Sequence, residues 1–139
     1  MEFQFSDNCW IGATTYTKER MDSAKEVFQL MWDMEAEVVN GYEHIQSLPP
    51  VRFVSCEPLQ ETVRLPLEHV DEDTILSPVS WVIIGAQSKT SGSPEKQPEW
   101  DWVYSLTRDA ERAGVPCYWK PNLKTRPQEY PIKDQGEEQ

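Results

Sequence analysis

No apolar run in this chain comes near the roughly 18–20 residues that a membrane span requires, and Met1 to Asp7 has neither the basic start nor the apolar middle of a secretory leader. A cytoplasmic protein with no membrane contact is the expectation. Cysteine is sparse: Cys9, Cys56 and Cys117 are odd in number, far apart and without metal-ligand spacing, which suits reduced thiols rather than a disulfide framework or a metal site. Positive charge is scarce too. With 13 Lys and Arg against 24 Asp and Glu, a formal charge of −11, the chain is not expected to bind a nucleic-acid backbone, and its acids read as a solvated surface. Glycine-rich phosphate loops, metalloprotease helices and serine nucleophile elbows are missing, and His44 and His69 read as surface residues.

What is present suits one domain with a real core. A hydrophobic fraction of 38% over 139 residues supports a single α/β domain over residues 1–125, followed by a polar, proline-dotted tail over 126–139. Four short apolar runs read as strands: Cys9 to Thr14, Val51 to Leu59, Trp81 to Ala86 and Val115 to Lys120. Between them lie two helical patterns. The first starts at Lys18 behind a Thr17 cap, buries Met21, Ala24, Val27, Phe28 and Met31, and continues to Gly41, with a further turn over Tyr42 to Leu48. The second starts near Glu99, buries Val103, Leu106, Ala110 and Ala113, and stops at Gly114. Gln60 to Pro78 is expected to be irregular, with at most a short helix or an extra strand pair, and Ser88 to Pro98 to be a mobile loop.

Strands alternating with helices imply parallel crossovers, so the candidates are half of a (β/α) barrel or a small doubly wound sheet. In either, ligands bind beyond the carboxyl ends of the strands. Side chains two apart share a face of a strand, which sends all three cysteines toward the helices as small buried hydrophobes. At the strand ends remain Thr14, Thr15, Glu57, Gln87, Ser88, Lys120 and Asn122, a polar set suited to a small molecule. Gly85 is expected to leave room there for a ligand or another backbone. Glu57 and Lys120 are equally readable as an ion pair tying strand ends together, and Asn122 as a backbone cap in the turn after Pro121.

Four stretches carry a family resemblance: Trp10 to Thr14, Arg52 to Leu59, Trp81 to Gln87, and Ala113 through Lys120 to Leu123. The most specific is Ser55-Cys56-Glu57-Pro58-Leu59. Together they resemble the carboxyl-terminal half of an uncharacterised, phage-associated family of radical-SAM-like barrel proteins with a three-cysteine motif. The resemblance implies a half TIM-type barrel of parallel βα units, with Glu57, Gln87 and Lys120 contacting ligand at its mouth. It also implies that the missing first half supplies three cysteines for a [4Fe–4S] cluster, since such clusters need thiolate ligands. The chain alone is therefore expected to lack radical chemistry, with S-adenosylmethionine and the cluster engaged only beside a complementary half. Departures from the family pattern are Tyr16 and Thr17, where an acid is expected, and Pro121, where an aspartate is. The alternative is a non-catalytic interaction or scaffold protein derived from the barrel. Either reading expects a homo-oligomer or a complementary barrel-half protein as partner, because a half barrel leaves two strand edges unpaired.

Overall fold

A computed structural model describes residues 8–39, 49 and 51–125, with side chains of the first helix described to Asp33. Its elements are β1 (Trp10–Thr14), α1 (Lys18–Val39), β2 (Val51–Cys56), β3 (Glu68–His69), β4 (Ile75–Leu76), β5 (Trp81–Ile84), α2 (Trp100–Arg112) and β6 (Cys117–Trp119). The expected turn over Tyr42 to Leu48, His44 and the tail over 126–139 lie outside the described residues.

Four strands form one parallel sheet in the order β1-β2-β5-β6, which is their order in the sequence. The fold is therefore α/β with a parallel sheet, as the alternation of patterns implies. Val54, Cys56, Val82 and Ile84 point to one face and are fully buried with Met21, Ala24 and Phe28 of α1 and Val103, Leu106 and Ala110 of α2. Both helices thus cover the same face. A doubly wound sheet reverses its strand order and carries helices on both faces, neither of which is seen among the described residues, and the arrangement is compatible with a barrel wall.

The opposite face carries Trp10, Gly12, Phe53, Ser55, Trp81, Ile83 and Tyr118, every one of them exposed or half-buried. Phe53 and Trp10 each pack against Trp81, with ring centroids 6.0 and 5.9 Å apart. Parallel sheets are normally covered on both sides. This one is covered on one side only among the described residues.

Helix ends follow local chemistry. The Thr17 hydroxyl accepts from the Arg20 amide at 3.4 Å, so the expected cap is present, and the Glu61 carboxylate accepts from the Lys18 amide at 2.6 Å. At the end of α2, Gly114 adopts φ 66°, and the Val115 and Gly114 amides donate to the Ala110 and Glu111 carbonyls at 2.8 and 3.1 Å. That is a Schellman closure, which needs the left-handed conformation glycine adopts without strain.

Residues 57–80 contain no helix. Of the short helix or strand pair allowed there, the strand pair is present, β3 against β4, antiparallel. The rest is irregular without being loose, because Leu59, Val63, Leu65 and Val79 are buried in the same core as the helices. Arg64 clamps this segment to α2: its Nε and Nη2 donate to the Asp109 carboxylate at 2.7 Å each, and the Leu65 amide adds a bond at 3.1 Å. At the amino end of the sheet Arg52 donates to the Pro78 and Pro49 carbonyls at 2.6 and 2.8 Å, fixing the end opposite the mouth.

Candidate functional site at the sheet mouth

Glu57 leaves the carboxyl end of β2 through a cis Glu57–Pro58 peptide. Its side chain crosses β5 over Gly85 and meets the Lys120 ammonium beyond β6 at 2.7 Å. A Cβ on Gly85 would lie 2.8 Å from Glu57 Cγ and Cδ. The space that glycine frees is therefore taken by Glu57, not by a ligand or backbone. Gly12 does the same for the Phe53 ring.

Asn122 ties the group together. Its Nδ2 donates to the Ala86 carbonyl at 2.7 Å, to Ser88 Oγ at 3.0 Å and to Glu57 Oε1 at 3.3 Å, while its Oδ1 accepts from the Ala86 amide at 3.2 Å. The backbone-capping role expected of it is there, and the same amide reaches the carboxylate. Glu57, Ser88, Lys120 and Asn122 thus form one network drawn from three strand ends.

The other sequence candidates lie apart from that network. Thr14 is exposed on β1 at the uncovered face. Thr15 is fully buried on the helix side, its hydroxyl 3.2 Å from Cys56 Sγ, so it is not at the mouth. Alternation alone carries that signal, since Thr15 shares parity with Ile11 and Ala13. Gln87 donates from Nε2 to the Pro94 carbonyl at 2.9 Å, and its backbone exchanges bonds with Lys96 at 3.0 and 2.9 Å. Gln87 therefore braces residues 88–98.

That braced segment corrects the expectation of a mobile loop. Gln97 bonds the Asn122 carbonyl and the Lys124 amide, and Glu95 accepts from Lys124 Nζ at 2.8 Å through both oxygens. The Lys124 partnership, with bonds from Gln97, holds the exposed Glu95 carboxyl below its ordinary range. Five polar contacts anchor the segment to the turn after β6, which its glycine and prolines gave no sign of.

Burial pushes the Cys56 thiol up to about 12 against a weaker opposing bond from Thr15, and pushes Cys117 up to about 12 as well. Iron–sulfur ligation needs thiolates, and among the described residues no group of three or more His, Cys, Asp or Glu could hold a metal ion. The described residues do not fit a [4Fe–4S] cluster. A groove of about 730 Å³ lies elsewhere, between the end of β1 and α1, lined by Thr14, Tyr16, Glu19, Arg20 and Val27 among others.

Fold and mouth together define a one-sided parallel α/β sheet with a carboxylate–ammonium–amide network at the carboxyl ends of its strands. The chain belongs to the family described as protein of unknown function (DUF5131), which matches residues 1–135. No curated protein and no solved structure matches it. Among the described residues no helix is long and apolar enough to cross a membrane.

Gly85→Ala tests the geometry of the mouth. The new methyl group displaces the end of Glu57 from Lys120. Because that pair is 27% and 39% exposed, urea unfolding is expected to shift by no more than about 1 kcal/mol. A loss several times larger would show that Gly85 serves the fold rather than the network.

Proposed function

We propose that this chain is the ligand-binding carboxyl-terminal half of a radical-SAM-like, phage-associated barrel protein, completed by a partner and without catalysis of its own. The observation that carries the reading is Glu57 reaching over Gly85 to Lys120 across the carboxyl ends of three neighbouring parallel strands, on the face that no helix covers among the described residues. Parallel barrels place ligand sites at that end and on that face. The motif resemblance through Ser55 to Leu59 supplies the family context. The uncovered face and the two unpaired edges of the described sheet supply the need for a partner. Iron–sulfur and S-adenosylmethionine chemistry would have to come with a complementary half, because Cys56 and Cys117 belong to the core and its lining and Cys9 alone cannot hold a cluster.

The energetics separate this reading from a structural tie. An ion pair this exposed contributes about 0–1 kcal/mol to stability. Glu57→Gln and Lys120→Met are therefore expected to fold with unfolding midpoints close to the parent. Native mass spectrometry on protein purified from its own host should show a small molecule on the parent that both variants lose. Variants that fail to fold would instead make the pair a structural element, and the chain a scaffold.

A further inference from the structure

The described sheet ends on two edges with no strand beside them, β1 on one side and β6 on the other. Each presents a row of backbone donors and acceptors for another parallel strand. The inner-face side chains at these edges are Trp10, 61% exposed, and Tyr118, 46% exposed. The aromatic residues between them are half-buried against one another, so the exposed aromatic surface of this face is concentrated at its two edges.

The register says what would meet across a seam. Thr14 is level with Ser55, Ser55 with Ile83, and Ile83 with Tyr118, so one row crosses all four strands. An eight-stranded parallel barrel closes with a shear of about eight residues, hence about four over half a circuit. With right-handed crossovers the row drops toward the amino ends as it advances. Continued past Tyr118 by half a circuit, the row falls on the residue four before Thr14, which is Trp10. A shift in the other direction would fall on Lys18, inside α1, where no strand pairing is possible.

We propose that two copies of this chain close an eight-stranded parallel barrel about a twofold axis, β6 of each pairing with β1 of the other and Tyr118 lying beside Trp10 at both seams. The proposal rests on the half-barrel reading above and names the partner as a second copy. Twofold closure leaves no strand edge free and gives the eight strands that the register arithmetic assumes, whereas a rotation that does not close builds an open chain. Both edge aromatics are covered by the same event, and the uncovered face becomes the barrel interior. The formal charge of −11 on each copy opposes the approach, so association tightens as salt screens it.

Sedimentation of the full chain at rising concentration and salt tests this. The wild type is expected to form a dimer and nothing larger. Trp10→Glu alone and Tyr118→Lys alone should each sediment as folded monomers where the wild type dimerises, since each change enters both seams. Mixing the two variants should restore a dimer, in which one seam is native and the other pairs the introduced charges. Circular dichroism checks that both variants fold, as expected at exposed positions. A wild type that stays monomeric, assemblies larger than two, a dimer that both substitutions leave intact, or a complex in which a different protein occupies both edges would overturn the proposal. A monomer that still loses its small molecule on Glu57→Gln would overturn the closure while leaving the mouth reading in place.

Discussion

Arg64→Ala is expected to lower the stability of the fold by about 3–5 kcal/mol, the usual consequence of removing one partner from a buried pair. Asp109 is 1% exposed on α2 and receives three N–H bonds, two of them from Arg64. Alanine would leave a buried carboxylate with one backbone amide. The guanidinium is 62% exposed, which places the effect toward the lower end of the range. Urea unfolding of Arg64→Ala beside Lys124→Ala gives the contrast. Lys124 and Glu95 are exposed, and their loss should leave the unfolding midpoint close to the wild type. The double change Arg64→Met with Asp109→Leu should be less damaging than Arg64→Ala, because no charge is then left buried. Equal costs for Arg64→Ala and Lys124→Ala would contradict the role given to the clamp.

Alkaline pH is the second large lever. Cys56 and Cys117 are each pushed up to about 12 by burial, from an ordinary thiol value of 9.0. Below pH 9 both folded and unfolded chains keep these protons, so neither thiol makes stability depend on pH. From pH 9 toward 12 the unfolded chain releases protons that the folded chain retains, and stability must fall as pH rises. The slope approaches roughly 1.4 kcal/mol per pH unit for each thiol, or about 4 kcal/mol for one thiol across the window. Cys56 also acts on Cys117, so the two contributions do not simply add. Urea unfolding at a series of pH values above 9 should show a steeper decline for the wild type than for Cys56→Ala. Lysine and tyrosine titrations are common to both proteins and drop out. Parallel declines would contradict the assignment of Cys56 as a buried thiol.

The four strands and two helices could be read from the chain because each carries its own periodic signal. Trp81 to Ile84 is apolar throughout yet has alternating surroundings, and the alternation that sent Cys56 and Cys117 to the helix side also brings Glu57 and Lys120 to one face. Contacts between residues distant in sequence carry no such signal. Arg64 and Asp109 are 45 residues apart, and Glu61 caps α1 from 43 residues away, so neither side chain stands out from its surface neighbours in the sequence. Gln60 to Pro78 reads as connection because its prolines and acids obscure Val63 and Leu65, which are buried in the core without belonging to a helix or strand. At the mouth, the residue types were legible, and so was the alternative of an ion pair. The path of Glu57 across Gly85 required the neighbouring strand's register.

Two tyrosines of equal exposure report whether the uncovered face of this sheet is the interior of a closed assembly. Tyr118 lies on that face and Tyr104 on α2, each 46% exposed in the chain by itself. Hydroxyl-radical labelling of the protein purified from its own host, before and after dissociation by dilution, reads both at once. Tyr118 and Trp10 are expected to be protected in the assembly and labelled on dissociation, with Tyr104 labelled throughout. Equal labelling of Tyr118 and Tyr104 in the host-purified protein would contradict it.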